Sequence, residues 1–159
     1  GKEPLQVLVL GGGPIGLRSA CEMALMGHKV SVLEARDTCS RLNVLKLWEE
    51  TTIDLDRLGL KSVDADWSNK KQARASTSRL QLSLLKVALL LGVHVNVDKT
   101  HAQEFEMHRA EGADVLIVAT GFRADLYAKL RKTTVVRRFD AGGAATHTDS
   151  SEGFEPMEA

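Results

Sequence analysis

The chain has 159 residues, of which 43% are hydrophobic and only 4% aromatic, so it fits one domain with an aliphatic core. Its 21 basic and 21 acidic residues give a net charge of zero, which argues against a general electrostatic attraction to nucleic acid or anionic lipid. Two cysteines without a CxxC pair argue against a disulfide framework and a zinc ribbon, and no metal site is expected. No apolar run approaches the ~20 residues that span a bilayer.

The N-terminal residues predict a βαβ unit. Residues 6–10 (QVLVL) form an apolar run that predicts a strand buried on both faces, of the kind found in parallel sheets. Three glycines end this run, and apolar residues then recur at helical spacing from Leu17 to Leu25, which predicts a helix with one apolar stripe. Residues 29–33 predict a second strand, followed by Glu34. Strand, turn, helix and strand within about 30 residues form the crossover that joins parallel strands.

The following residues predict further elements of an α/β fold. The elements are expected at residues 44–48 (strand or loop), 51–58 (weak helix), 77–91 (helix), 93–97 (strand), 105–108 (strand) and 114–119 (strand). Residues 61–75 are polar and predict irregular structure. The helix over residues 77–91 carries leucines on several sides, so we expect it to be buried.

The pattern divides the chain into one domain and a tail. Residues 1–121 predict a Rossmann-like domain with a parallel sheet, which binds FAD or NAD(P) in proteins of this class. Residues 122–139 form an extension of uncertain structure that includes a basic stretch. Residues 140–159 are dominated by Gly, Ala, Thr, Ser and Glu, a composition that predicts a disordered tail.

A glycine pattern between the first strand and the first helix predicts a dinucleotide site. Gly11, Gly13 and Gly16 have the spacing GxGxxG, in which the glycines permit a tight turn, the approach of a pyrophosphate and the packing of helix on strand. The helix N-terminus offers unpaired N–H groups to the phosphates. Glu34, at the end of the second strand, is placed to accept hydrogen bonds from a ribose diol. Because an acid there repels a 2′-phosphate, NADP is disfavoured at this site, while NAD and FAD both remain possible.

Several segments between residues 5 and 121 match the pattern of one flavoprotein family. They are residues 11–18 (GGGPIGLR), 34–37 (EARD), 40–48 (SRLNVLKLW), 52–59 (TIDLDRLG) and 80–97 (LQLSLLKVALLLGVHVNV). Together they resemble the FAD-binding portion of the MICAL-type flavoprotein monooxygenases. The resemblance implies FAD as cofactor, NADPH as electron donor, a protein substrate such as actin and a cytoplasmic location.

The resemblance also implies three groups of cofactor-binding residues. It implies no catalytic acid, base or nucleophile, because the flavin itself carries the chemistry. By position, the pyrophosphate would lie at Gly11, Gly13, Pro14, Ile15 and Gly16, the adenosine ribose at Glu34, Ala35 and Arg36, and the flavin-side part of the cofactor near Arg41 and Asn43. A solvated loop position is an equally weighted alternative for Arg41, and Trp48 is expected in the core.

The chain departs from the family pattern at several positions. Ile15 stands where the family has Cys, Ser78 where it has Arg, and Thr120 where it has Asp. After Gly121 we recognise neither the Gly-Asp segment that closes over the flavin nor a substrate-binding sheet. Whether the chain is an enzyme therefore stays open, and two alternatives remain: a catalytically incomplete dinucleotide-binding module or fragment, and an NAD-dependent oxidoreductase domain.

Overall fold

The computed structural model describes residues 3–39, 41, 43–60, 73–97 and 112–121, together with two short strands, Arg138–Phe139 and Ala145–Thr146. The chain divides into two compact units, Gly1–Gly121 and Phe122–Ala159. Several predictions lie outside the described residues. They are the strand at residues 105–108, the irregular segment over residues 61–72, and most of the extension at 122–139 and of the tail at 140–159.

Within the described residues, the first unit has six strands and three helices. The strands are β1 (Gln6–Leu10), β2 (Lys29–Glu34), β3 (Val44–Lys46), β4 (Arg74–Ser76), β5 (His94–Val97) and β6 (Val115–Val118). The helices are α1 (Pro14–Leu25), α2 (Glu49–Arg57) and α3 (Thr77–Leu90). In the second unit, β7 (Arg138–Phe139) pairs antiparallel with β8 (Ala145–Thr146). None of the described helices combines the length and the apolar character that a membrane crossing requires.

The main sheet is parallel, with the strand order β5-β2-β1-β6. Val7 of β1 lies opposite Val30 of β2 on one side and Val115 of β6 on the other. The predicted α/β class, the parallel sheet and the βαβ unit are confirmed. Because β2 and β5 lie on one side of β1 and β6 on the other, the strand order reverses beside β1. Open α/β sheets bind their ligands at such a switch point, outside the carboxyl ends of the strands.

An aliphatic core joins one face of this sheet to α1 and α3, which pack against each other. Val9 and Val32 from the sheet, Leu17 from α1 and Leu84 from α3 are almost completely buried. These residues come from the apolar stripes of each element, so the composition and periodicity of the sequence account for the core.

Two expectations about the N-terminal βαβ unit are wrong in detail. The second face of β1 is only partly buried, because Leu8 is partly exposed beside the exposed Ser31 of β2, whereas Leu10 on the same face is buried. The opposite face, with Val7 and Val9, packs into the core. The apolar stripe of α1 also ends earlier than expected, since Leu25 in its last turn is exposed.

Expectations about the later segments need similar corrections. α3 is amphipathic rather than buried all round, because Leu82 and Leu89 are each 54% exposed. Trp48, expected in the core, is 75% exposed. Arg74 and Ala75, expected to be irregular, belong to β4, which pairs antiparallel with β3. Of the two alternatives expected for Val44–Lys46, strand or loop, the structure shows the strand. The strand depends on a contact between residues distant in sequence, which local sequence does not encode.

Candidate functional site

The glycine turn lies at the carboxyl end of β1, between β2 and β6. The Gly11 N–H donates to the Leu33 carbonyl of β2 at 2.8 Å, and the Ala119 N–H, just past β6, donates to the Leu10 carbonyl at 2.7 Å. Gly11 has φ +99°, and a Cβ on it would lie 2.6 Å from the Ala119 carbonyl oxygen. Glycine is therefore needed at this position for its backbone conformation and for the close approach of β6.

The other two glycines of the pattern have different surroundings. A Cβ on Gly16, in the first turn of α1, would overlap the Gly11 carbonyl oxygen. Gly13 precedes α1 with φ −71° and ψ 176°, and a Cβ on it would meet nothing within 4 Å among the described residues. Gly11 and Gly16 thus shape the turn from buried positions, whereas Gly13 faces open space.

The N-terminus of α1 lies at the glycine turn. Pro14 is its first residue and Ile15, 74% exposed, its second. Because the first N–H groups of a helix have no carbonyl one turn earlier, those of Ile15 and Gly16 have no partner within the helix. The first turn contains no acidic side chain, so the positive end of the helix dipole is available to an anion.

Glu34 lies at the end of β2 and holds the glycine turn through its side chain. Its Oε2 accepts the Gly12 N–H at 2.6 Å, and its Oε1 accepts the Arg36 N–H at 2.9 Å. A carboxylate offers about four lone-pair sites, so about two remain for the hydroxyls of a ribose. Ala35 is half-buried and the Arg36 side chain is exposed.

Gly12 and Gln81 belong to this site although sequence reasoning missed both. A Cβ on Gly12 would lie 3.1 Å from the Cβ and the Oε2 of Glu34. The Gln81 side chain of α3 donates from Nε2 to the Gly12 carbonyl oxygen at 2.7 Å. Gln81 is one of three polar residues, with Ser83 and Lys86, in the leucine-rich stretch of residues 80–91, and Gly12 is the middle one of three glycines, so no local pattern singled out either residue.

The two residues expected on the flavin side precede β3 and are exposed. The Asn43 carbonyl accepts two hydrogen bonds of 2.8 Å, from the backbone N–H and from the hydroxyl of Thr77. Thr77 is buried at the start of α3, so this helix contacts the Asn43 backbone as well as the glycine turn. The exposed position of Arg41 fits both alternatives, a contact with the flavin-side part of the cofactor and a solvated loop position.

Thr120 provides a polar atom without a partner next to the turn. Its Oγ1 is buried and makes no hydrogen bond among the described residues. Its backbone nitrogen lies 3.1 Å from where a Gly11 Cβ would be, which puts the residue beside the glycine turn at the carboxyl end of β6. Buried hydroxyls are normally paired, so an unpaired one at this position suits a ligand-binding surface.

An ion-pair cluster joins α1 to α2 behind the turn. Arg18 donates two hydrogen bonds of 2.8 Å to the carboxylate of Asp54 and one of 2.7 Å to Glu22. The hydrogen bonds to Asp54 and Glu22 outweigh burial and raise the pKa of the Arg18 guanidinium above its ordinary value. The hydrogen bonds that Asp54 accepts from Arg18 lower the pKa of the Asp54 carboxyl. Of these contacts, only the pair between Arg18 and Glu22 has a spacing, four residues along one helix, that indicates an interaction from the sequence alone.

Two other kinds of reactive centre, an activated Cys39 thiol and a metal cluster, find no support among the described residues. Burial raises the pKa of the Cys39 thiol, and the Glu34 charge raises it further, so this thiol is not activated as a nucleophile. Within the same part of the chain, no group of three His, Cys, Asp or Glu side chains is arranged to hold a metal ion.

Comparison with known proteins identifies relatives of the βαβ unit and of most of the first unit. The model of the family pyridine nucleotide-disulphide oxidoreductase matches residues 6–43. The rat protein [F-actin]-monooxygenase MICAL2 (Rattus norvegicus) is 40% identical over 154 residues, which is 95% of this chain and 8% of that protein. The zebrafish protein [F-actin]-monooxygenase mical2b (Danio rerio) is 42% identical over 119 residues, 75% of this chain and 7% of its own length. The chain therefore spans less than a tenth of the curated relatives that it matches.

Solved structures agree on the fold. The flavin-dependent halogenase CmlS has a TM-score of 0.50 and 21% identity, covering 61% of this chain and 23% of the halogenase. The flavin-dependent brominase Bmp2 has a TM-score of 0.50 and 17% identity, covering 60% of this chain and 29% of the brominase. At this identity the likeness shows the nucleotide-binding fold alone, whereas the sequence identity to the MICAL proteins is about twice as high. By that identity and this fold, the aligned residues of this chain are similar to a short part of the MICAL proteins.

Proposed function

We propose that this chain binds FAD and holds its ADP moiety at the glycine turn, as the nucleotide-binding part of a flavoprotein monooxygenase. One observation carries the proposal. The open position at Gly13 lies at the N-terminus of α1, where the strand order of the sheet reverses, and Glu34 keeps free lone pairs at the same turn. Phosphate and ribose groups need these two features side by side.

The residues of the turn fit the chemistry of a dinucleotide. The open position at Gly13 leaves room for a pyrophosphate that a side chain there would obstruct, and the N–H groups of Ile15 and Gly16, which have no partner within the helix, supply donors for it. The unpartnered hydroxyl of Thr120 adds a polar group at the same edge of the sheet. Glu34 accepts the ribose hydroxyls while its two backbone bonds keep the carboxylate in place.

The chain's own residues bind and orient the cofactor. A bound flavin supplies the redox chemistry and the activation of oxygen. The remaining activity is proposed from the two relatives described above, both of which are named as F-actin monooxygenases. On that basis the substrate is a protein such as actin. NADPH as electron donor and a cytoplasmic setting are proposed from the family resemblance of the sequence alone.

A titration with matched nucleotides tests the site. The full chain is titrated with FAD, with 5′-ADP and with 2′,5′-ADP, and binding is followed by calorimetry and by the quenching of flavin fluorescence. FAD and 5′-ADP should bind. The 2′-phosphate of 2′,5′-ADP should weaken binding about tenfold or more, because it meets the Glu34 carboxylate and removes a hydroxyl donor to a charged acceptor. Equal affinity for 5′-ADP and 2′,5′-ADP would contradict the ribose role of Glu34, and no binding of FAD would contradict the proposed function.

A further inference from the structure

We propose that Gln81 is a positioning residue for the cofactor pyrophosphate. By holding the Gly12 carbonyl toward α3, it turns the Gly13 N–H toward the space where the phosphates would lie. This inference rests on the proposed FAD site and adds to it a residue from a helix outside the βαβ unit. Gln81 itself touches only the turn, so it acts through Gly12 and Gly13.

The geometry of one peptide bond carries the argument. Gln81 donates from Nε2 to the Gly12 carbonyl oxygen at 2.7 Å. The structure has no cis peptide bond, and in a trans peptide the carbonyl and the N–H of the next residue point in opposite directions. The Gly13 N–H therefore points away from Gln81, and it donates to no acceptor among the described residues. This donor belongs to a residue on which a Cβ would also meet open space among the described residues.

A second side chain fixes the neighbouring peptide. The Gly12 N–H is held by Glu34 Oε2 at 2.6 Å, and Glu34 Oε1 is held in turn by the Arg36 N–H. The two peptides on either side of Gly12 are thus oriented by one side chain from β2 and one from α3. Removing the Gln81 bond frees only the peptide between Gly12 and Gly13, whose N–H faces the ligand.

That peptide needs an external hold because glycine lies on both sides of it. Glycine adopts positive and negative φ with similar ease, so the backbone itself does little to prevent a rotation of the peptide plane. A rotated peptide would present the Gly12 carbonyl oxygen to the phosphates instead of the Gly13 N–H. The loss of Gln81 should therefore affect ligands with phosphates far more than it affects the fold.

The same face of α3 supports the other end of the site. Thr77 lies four residues before Gln81, and residues at this spacing share one face of a helix. Thr77 donates its N–H and its hydroxyl to the Asn43 carbonyl. One helix therefore fixes both the turn at the pyrophosphate and the backbone at the residue expected on the flavin side.

The test uses Gln81→Met, which keeps the length of the side chain and removes the donor. The matched control is Lys86→Met, at an exposed position of the same helix. For the full chain and each variant, affinities for FAD, 5′-ADP and adenosine are measured by titration, with the melting temperature as a check of folding. In Gln81→Met, FAD and 5′-ADP should bind roughly three- to tenfold more weakly, the equivalent of one hydrogen bond, while adenosine changes by less than about twofold. Lys86→Met should change none of them.

A readout in the free protein separates positioning from general stability. The ¹H–¹⁵N resonance of Gly13 should shift in Gln81→Met and stay in place in Lys86→Met. If Gln81→Met does not fold, Gln81→Glu, which is isosteric and also lacks the donor at neutral pH, is measured in its place. Unchanged affinity for 5′-ADP, or an equal loss for adenosine and 5′-ADP, would overturn the role of Gln81 and leave the proposed function standing. A wild-type chain that binds neither FAD nor 5′-ADP would overturn both.

Discussion

Replacing Gly13 with alanine should separate ligand binding from folding. Gly13 has φ −71° and ψ 176°, which alanine adopts without strain, and the new Cβ meets no atom within 4 Å among the described residues. The loss of glycine's freedom in the unfolded chain should then raise the free energy of unfolding by about 0.4–1 kcal/mol. The methyl group would occupy the space of the pyrophosphate. Losing one hydrogen bond to a phosphate costs about 1.5–3 kcal/mol, so FAD should bind at least about tenfold more weakly.

The other two glycines of the pattern provide the controls. Gly16→Ala puts a Cβ onto the Gly11 carbonyl oxygen, and Gly11→Ala combines φ +99° with a contact of 2.6 Å to the Ala119 carbonyl. Both should lower the free energy of unfolding by more than about 1 kcal/mol. Urea unfolding of the free chain and titration with FAD measure the two effects. The reasoning is refuted if Gly13→Ala destabilises the free chain as much as Gly16→Ala does, or if it binds FAD like the wild type.

Three further substitutions test the surroundings of the turn. Glu34→Gln turns one carboxylate oxygen into a donor that faces a backbone N–H. Because hydrogen bonds to a charged group are lost, titration should find about 10-fold to 150-fold weaker FAD binding. Wild-type affinity in this variant would count against a ribose contact of Glu34. Arg18→Met should lower the free energy of unfolding by about 1 kcal/mol, because the side chains of Arg18 and Asp54 are both partly exposed, 27% and 48%, and exposed ion pairs contribute little. The folded state lowers the pKa of the Asp54 carboxyl, so the ion pair stabilises the chain at neutral pH and is lost when acid protonates the carboxylate. Urea unfolding at neutral and at acidic pH should therefore show a difference in stability between wild type and Arg18→Met at neutral pH only. Thr77→Val removes one of two hydrogen bonds to the Asn43 carbonyl and should cost about 0.5–1.5 kcal/mol of stability. Affinity for 5′-ADP should be unchanged and affinity for FAD reduced. A loss of 5′-ADP affinity instead would mean that Thr77 does not support the flavin end of the site.

The sequence predicted the features that depend on local periodicity. The strand before the glycines, the helix after them and the return strand at residues 29–33 follow from spacing alone, and β2 extends the last of these by one residue. The glycine spacing and the acid at the strand end have a recognised mechanical role. These features were therefore available without any knowledge of the tertiary structure.

What the sequence did not predict depends on contacts between distant residues. Gln81 reaches Gly12 across 69 positions of the chain, and Arg18 reaches Asp54 across 36. Neither spacing produces a local pattern. For the same reason Glu34 was assigned only to the ribose, although its carboxylate also holds the backbone of the turn.

Errors of burial have a related cause. An apolar side chain in a helix indicates that the residue tolerates burial, but which face is buried depends on the partner that packs there. Leu82 and Leu89 on α3 and Trp48 before α2 are exposed among the described residues, because the core of the first unit is filled by the opposite faces of these elements.

The most direct test of the central claim is a ¹H–¹⁵N titration of the full chain with 5′-ADP and then with FAD. If the chain holds the ADP moiety at the glycine turn, both ligands should shift the amide resonances of Gly12, Gly13, Ile15, Gly16 and Glu34. FAD should further shift that of Asn43. The account would be contradicted if neither ligand shifts these resonances, or if both shift a different surface such as the β5 edge of the sheet and leave the turn unchanged.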